Sequence, residues 1–286
     1  MEENVEKKFT ILGKSVWRIM SYFVIYSVCG FVIETLYGLV SKGLLESRQS
    51  FLYGPFCAIY GVGACVLILF LHRFKSHNYQ FLGGFFIGAI VEYLVSYFCE
   101  VILHVKWWDY SNQPFNINGR VCIGFSVFWG ILSIYLIGYL NPKVDKLIDK
   151  VKSRFSIKKL KIFVTSILII MFIDCILTAV AIYCFQVRKI EQHSINVENK
   201  EQVSRMYEII YGNEHISKFI YKFWHDEKMI ITFPNLKIQD KDGNIIIKAT
   251  SKWLMINTET REIGKIPLLT FAPKVPFWGK CSKWDF

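Results

Sequence analysis

The stretch that decides the fold is residues 81–104, which read FLGGFFIGAIVEYLVSYFCEVILH. As a helix it is long enough to cross a hydrocarbon layer, which takes about 20 residues for a thickness of about 30 Å. It also carries two carboxylates, Glu92 and Glu100. An ionised side chain in hydrocarbon is costly, so an acid at this depth indicates a partner, a water-filled cavity or an ion path.

Four more stretches share this length and composition, and they cover residues 17–40, 52–71, 122–140 and 162–185. Of the 286 residues, 53% are hydrophobic and 16% are aromatic, whereas soluble domains are about 45–50% apolar. A single buried core helix could be this apolar, but five in succession could not. We therefore predict an all-α multi-pass membrane helix bundle with about five transmembrane helices in residues 16–186.

The tail, residues 187–286, has a different character. The pattern from Glu201 to Tyr211 predicts a helix, and short β-type runs begin at about residue 229. Two such runs are Ile230 to Phe233 and Ile245 to Ile247. We predict a small α+β extramembrane tail that is β-rich from about residue 229.

Much of the net charge of +11 lies in one connection between two apolar stretches, from Pro142 to Ile162. Its basic residues are Lys143, Lys146, Lys150, Lys152, Arg154, Lys158, Lys159 and Lys161. Short loops rich in Lys and Arg stay in the cytoplasm. We expect a protein of the cell membrane in which this connection and the charged leader, residues 1–15, lie on the cytoplasmic side. The sequence does not decide on which side the tail lies. Nothing resembles a nucleic-acid-binding module, so the lipid bilayer is the expected partner.

The cysteines and glycines do not predict an enzyme. The eight cysteines lie mostly in or beside apolar stretches, without CxxC or Cys/His zinc spacing. The sequence Gly13-Lys14-Ser15 lacks the upstream glycine and strand of a P-loop. We expect no catalytic residues, no metal and no cofactor. For the tail alone, the sequence does not decide whether it has an enzymatic activity.

The first group of candidate site residues is polar and lies inside the apolar stretches: Glu34, Glu92, Ser96, Glu100 and Asp174. In the third stretch Gly84 and Gly88 precede Glu92, Ser96 and Glu100 at four-residue spacing, which places neighbouring members on one helix face. Small residues let a second helix approach closely, so the acids would face the bundle interior. A lock between helices and a substrate or proton path are both compatible with this pattern.

The second group lies in the loop before the fourth stretch: Trp107, Trp108, Asp109, Tyr110, Asn116, Asn118 and Arg120. Two Trp and a Tyr at a span end are typical of a membrane interface. The Asn, Pro and Gly content also fits a re-entrant loop buried in protein. Arg120 is the predicted counter-ion of Glu100 or Glu34. The predicted structural residues are Gly54, Pro55, Gly61, Gly84, Gly88 and Gly119.

Several of these segments resemble a known family. They are Gly54-Pro55-Phe56-Cys57, Ile59-Tyr60-Gly61, the block from Trp107 to Arg120, Ser126, Trp129-Gly130 and Phe233-Pro234-Asn235. The chain resembles the CmpB-like permeases, labelled Putative ABC-transporter type IV, over roughly residues 16 to 240. Ala58 departs from the pattern, because proline is expected there.

The resemblance implies a membrane location and a permease-like transport component, and it leaves the substrate open. An ATPase on a separate subunit is implied by the family label alone, and a homo-oligomer is a further expectation. The alternative is a non-transporting membrane scaffold or regulatory subunit, in which the acids only lock helices together.

A shorter likeness falls in the tail, over residues 242–261. The run from Asp242-Gly243-Asn244 to Thr260-Arg261 is similar to one hairpin region of acyl-carrier-protein thioesterases. Under about 40 residues are involved, too few for that fold, and they bring no catalytic set. We expect a β-rich appendage without that activity.

Overall fold

The computed structural model describes residues 10–42, 45–103, 106–234, 236–239 and 245–248. In chain order its elements are β1 (Thr10–Ile11), β2 (Lys14–Ser15), α1 (Val16–Lys42), α2 (Ala58–Leu71), α3 (His77–Leu103), α4 (Ile123–Tyr135), a π-helical turn (Leu136–Leu140), α5 (Asn141–Arg154), α6 (Ile157–Gln192), α7 (Lys200–Tyr211), α8 (Glu214–Phe223), α9 (Asp226–Thr232), β3 (Lys237–Gln239) and β4 (Ile245–Lys248).

Among the described residues, four helices are long and apolar enough to cross a membrane: α1, α3, the continuous helix of α4 and α5, and α6. The multi-pass helix bundle is therefore confirmed. The second predicted span differs, because α2 has only 14 residues where about 20 are needed. Its first part, from Leu52 to Cys57, is a loop in which Gly54 has a φ of +81°. That conformation suits glycine, and Pro55 follows it.

The lysine-rich connection is helical, whereas the sequence indicated a loop. The helix runs from Ile123 to Arg154 without a break and passes through a π-helical turn just before Asn141 and Pro142. Pro142 has no backbone N–H to donate within the helix. The wider π-helical turn lies directly before it, at the point where the regular hydrogen-bond pattern changes. Only residues 155 and 156 separate α5 from α6.

The described residues divide into two compact units. The first unit comprises Met1–Gly30, Pro55–Val95 and Tyr110–Ile173. Its core is an apolar cluster contributed by α1, α2, α4, α5 and the π-helical turn between them: Tyr22, Tyr26, Ala64, Cys65, Leu67, Ile68, Leu71, Trp129, Leu136, Val144 and Ile148. A short hairpin of β1 and β2 precedes α1, so the described end of the leader is extended and not helical.

The second unit comprises Phe31–Gly54, Ser96–Asp109 and Asp174–Phe286. Its core collects the last turns of α6 with α8, α9 and the loop residue Leu52: Leu52, Ala181, Ile182, Cys184, Phe185, Ile190, Ile195, Ile220, Trp224, Met229, Phe233 and Leu236. Along α6 most positions from Ala181 to Ile190 are buried, with Tyr183 an exposed exception. This part of α6 is therefore wrapped by protein.

The tail differs from the prediction at one point. Ile230 and Ile231 were expected in a strand, but they lie in α9, so this strand prediction is wrong. The His225 side chain accepts a hydrogen bond from the N–H of Lys228 and caps the helix, and Asp226 and Glu227 occupy its first turn, where acids favour a helix.

Two other predictions for the tail agree with the structure. The helix expected from Glu201 to Tyr211 is α7, and the strand expected at Ile245 is β4, which pairs antiparallel with β3. Three parts of the predictions lie outside the described residues: most of the thioesterase-like run, including Asp242-Gly243, residues 1–9 of the leader, and His104.

Candidate functional site

The candidate site of the first unit is built on a hydrogen bond between Tyr110 and Glu92. Glu92 lies on α3 with 4% of its surface exposed, and Tyr110 is also buried. The Tyr110 hydroxyl donates to Glu92 Oε1 at 2.8 Å. A neutral O–H donor to a carboxylate makes a charge-assisted hydrogen bond, which lowers the cost of the buried acid. Two residues predicted separately, one on a span and one in a loop, thus meet in the structure.

The loop that delivers Tyr110 is held by its own backbone and by Asn116. The N–H of Tyr110 donates to the carbonyl of Gly119 at 2.8 Å. The Asn116 side chain donates to the carbonyl of Gln113 at 2.8 Å and accepts the N–H of Gly119 at 3.0 Å. A side-chain amide that bonds to nearby backbone groups fixes a turn. Tyr110 also stacks on Phe125, with ring centroids 4.7 Å apart.

Three residues of this loop have left-handed backbone conformations, which only glycine adopts without strain. Phe115 has a φ of +54°, Asn118 of +53° and Gly119 of +66°. The turn is therefore tight, and its tip exposes 81% of Phe115. Gly119, predicted as structural from the sequence, occupies one of these positions.

Asn118 and Arg120 both contact Tyr93, one residue along α3 from Glu92. The Asn118 side chain donates to the Tyr93 hydroxyl at 2.9 Å, and the Arg120 guanidinium lies 5.6 Å from the Tyr93 ring centre. A cation at this distance from an aromatic ring is attracted to its face. The loop therefore places an amide and a guanidinium against Tyr93. The pairing of Arg120 with Glu100 or Glu34 stays a prediction.

Two members of the α3 stripe, Gly84 and Gly88, pack against α4. A side chain at Gly84 would collide with Ser133 and with the backbone oxygen of Trp129, and one at Gly88 would collide with the Trp129 ring. The Ser133 hydroxyl donates to the carbonyl of Gln80 at 2.6 Å. Small residues at these two positions are what permits the close approach of the two helices.

Glycines on α1 and α2 are equally confined. A side chain at Gly61 would meet Ser27, and one at Gly30 would meet the Tyr60 ring. Gly61 was predicted as structural, whereas Gly30 was not. Pro55 is exposed at the start of this segment.

Asp174 has a separate site in the second unit. It is 5% exposed, and its carboxylate accepts the backbone N–H of Tyr53 at 3.0 Å from Oδ2. One turn later along α6, the Thr178 hydroxyl accepts the N–H of Leu52 at 2.7 Å. The two side chains therefore bind consecutive amides of the loop before α2. The sequence left open a lock between helices and a proton path for Asp174, and the partner shown here is the backbone of the loop before α2.

The remaining candidates of the second unit lie on α1, on α3 and in the loop after α3. Glu34 and Glu100 are half-buried on α1 and α3, and Ser96 is buried. Trp107 packs against Phe233, with ring centroids 5.5 Å apart. The flanking loop residues Trp108 and Asp109 are half-buried.

Sequence reasoning missed Arg188, which is fully buried near the end of α6. Its Nε donates to Asp226 at 2.9 Å, and its two terminal nitrogens donate to the Tyr211 hydroxyl and the Trp224 carbonyl, each at 3.1 Å. Lys189 also pairs with Asp226. Little in the sequence indicated this role, because Arg188 stands next to Lys189 just after the apolar stretch ends at residue 185, where basic residues commonly flank a span.

The electrostatics of this cluster follow from its partners. Burial alone would raise the pKa of Asp226, but the hydrogen bond from Lys189 and the charge of Arg188 outweigh it, so the pKa of Asp226 lies below its usual value. Burial raises the pKa of Tyr211, so this hydroxyl stays protonated and donates to the Cys184 carbonyl at 2.9 Å. The cluster fastens α7 and α9 to the end of α6.

Within the described ranges, no group of three or more His, Cys, Asp or Glu side chains could hold a metal ion. The first site brings together the carboxylate of Glu92 and the phenol of Tyr110 in a buried hydrogen bond. Such groups can recognise a polar solute or hold a proton.

Fold and site together define a multi-pass membrane protein with a buried carboxylate inside its helical part. The model of one protein family, described as Putative ABC-transporter type IV, matches residues 21–179. The chain belongs to this family, and the match covers most of α1, all of α2 to α5 and most of α6. No curated protein and no solved structure matches the chain.

Proposed function

We propose that the chain is the membrane-spanning permease subunit of a transporter, and that Glu92 and Tyr110 form part of its polar path. The observation that carries the proposal is the buried carboxylate of Glu92 on a membrane-spanning helix, bonded to the neutral hydroxyl of Tyr110. A carboxylate held by a neutral donor keeps the ability to exchange a proton or to pair with a cationic solute. Membership of a transporter family supports the same assignment.

An ATPase on a separate subunit would supply the energy, because Gly13-Lys14-Ser15 lacks the rest of a P-loop. In the proposed orientation the N-terminus lies in the cytoplasm, together with three basic segments: the leader, the segment after α2 that contains Arg73, and α5. The ATPase would bind on this side of the membrane. Two contacts in the first unit support a common face for these segments. Arg18 pairs with Asp149 on α5, and Arg73 lies beside Gly13. The positive-inside rule then assigns that face to the cytoplasm.

The test begins with copurification of the tagged chain from its native membranes in a mild detergent, followed by an ATPase assay. The copurified assembly is then reconstituted into vesicles with an isotope-labelled metabolite mixture outside, and ATP-dependent accumulation is read by mass spectrometry. Glu92→Gln should abolish accumulation while expression and thermal unfolding stay near wild type. Glu214→Gln is the control, because Glu214 is an exposed acid on α8.

A scaffold or regulatory subunit is the second candidate, and the geometry of Asp174 favours it. That acid binds the backbone amide of Tyr53, which is a purely structural use of a carboxylate. If Glu92 has the same role, Glu92→Gln lowers expression and the unfolding temperature. An absence of copurifying ATPase, with Glu92→Gln destabilised, would identify the chain as a scaffold.

A further inference from the structure

The outer side of α5 carries a row of exposed cations, Lys143, Lys146, Lys150 and Arg154, which we call the outer basic face. Their spacing of three or four residues places them along one side of the helix. Leu147 is exposed among them. The opposite side, with Val144 and Ile148, is buried in the core of the first unit.

The acids of α5 do not neutralise this face, because they are engaged by α1 and the strand before it. Asp145 lies 3.3 Å from Arg18 and 3.6 Å from Lys14, and it accepts the hydroxyl of Tyr22. Asp149 pairs with Arg18. Of the four cations, Lys143 bonds to the hydroxyl of Tyr139, which leaves its charge in place. The outer basic face is therefore strongly positive.

The position of α5 in the chain places this face at a membrane surface. The helix continues from α4, which is apolar enough to span, and α6, another spanning helix, begins at Ile157 only three residues after Arg154. Phe155, at the junction, is exposed. Cations mixed with exposed apolar side chains at the end of a spanning helix suit the boundary between headgroups and acyl chains.

We propose that the outer basic face is a binding site for anionic phospholipid headgroups. Lys146, Lys150 and Arg154 would bind the phosphates, while Leu147 and Phe155 contact the upper acyl chains. Charge complementarity and the location between two spanning helices favour lipid over a soluble partner. Each basic residue near an anionic surface is worth about 1 kcal/mol, which is about five-fold in association.

The experiment uses the full chain in phosphatidylcholine vesicles that contain a trace of fluorescent phosphatidylglycerol or fluorescent phosphatidylcholine. Energy transfer from the protein tryptophans gives the relative association of each lipid. The variant K146Q/K150Q/R154Q should lower the preference for phosphatidylglycerol on the order of 100-fold at low salt. The control R205Q/K218Q/K222Q removes three exposed charges from α7 and α8 and should keep the preference.

Further variants and salt complete the test. High salt should abolish the preference of the wild type, and K146R/K150R should retain it because the charge is conserved. If the triple Gln variant does not fold, the single variants K146Q, K150Q and R154Q should each show about a five-fold loss. Equal association of both lipids with the wild type would overturn the proposal. A triple Gln variant that keeps its lipid preference would also overturn it. If that variant instead loses a copurifying ATPase, the outer basic face binds a protein partner and not lipid.

Discussion

The carboxylate of Asp174 accepts the backbone N–H of Tyr53, at 3.0 Å from Oδ2 and 3.3 Å from Oδ1. An acid on a spanning helix thus stabilises a loop, in the way that acids cap helix ends. A buried N–H without an acceptor costs about 1–3 kcal/mol, so the loop between α1 and α2 depends on this side chain and on its neighbour Thr178.

Removing the acceptors on α6 should destabilise the protein. We expect Asp174→Leu and Thr178→Val each to lower the free energy of unfolding by about 1–3 kcal/mol, because each leaves a loop amide without its partner. Asp174→Asn keeps an acceptor oxygen and should cost less. Thermal unfolding in detergent is the measurement, with Ser166→Ala, an exposed position on α6, as the control. Equal stability of Asp174→Leu and Ser166→Ala would contradict this role.

Substitution of Arg188 should unfold the tail. Arg188→Met removes the donor to the Trp224 carbonyl and to the Tyr211 hydroxyl, and each buried polar group left without a partner costs about 1–3 kcal/mol. Asp226 would keep only Lys189. Lys189→Gln should cost much less, because Lys189 makes only one of the contacts to Asp226. Limited proteolysis of the tail distinguishes the two variants, because the tail of Arg188→Met should be cut faster than that of Lys189→Gln. Protease resistance of Arg188→Met like that of Lys189→Gln would argue against the role of Arg188.

The stability of the tail should depend on acid pH. The folded pKa of Asp226 lies below its unfolded value, so its stabilising contribution is present above the unfolded pKa of about 3.9. It is lost as the pH falls through the folded pKa. Unfolding monitored between neutral pH and about pH 3 should therefore show a decline that Asp226→Asn flattens. Glu227→Gln, in the same turn of α9, is the matched control and should leave the decline unchanged.

The glycine contacts predict a clear contrast within one helix pair. Gly84→Ala places a methyl group against the Trp129 backbone oxygen, at 2.9 Å, and against Ser133, and overpacking of this kind costs about 1–3 kcal/mol. Gly124→Ala meets nothing within 4 Å, so helix propensity should make it neutral or stabilising by up to about 1 kcal/mol. Unfolding in detergent measures both. A neutral Gly84→Ala would show that α3 and α4 separate easily.

Much of the fold could be predicted from hydropathy alone. Long apolar runs must satisfy their backbone groups internally, so residues 81–104 and 162–185 predict helices whatever their neighbours are. Turn chemistry was equally local: Gly119 was identified from the loop composition and has a φ of +66°. The helix α9 was not predicted, because its run of β-branched residues suits a strand as well as a helix. The cap from His225 and the acids of the first turn favour the helix.

The sequence by itself determined the apolar helices and the acids among them, because length and hydropathy act residue by residue along the chain. Only the tertiary structure decided what each acid does: Glu92 binds the hydroxyl of Tyr110, Asp174 binds the N–H of Tyr53, and Asp226 binds Arg188. The physical reason is the range of a hydrogen bond. It requires atoms about 3 Å apart, and residues separated by 18 to 121 positions reach that distance only when helices pack.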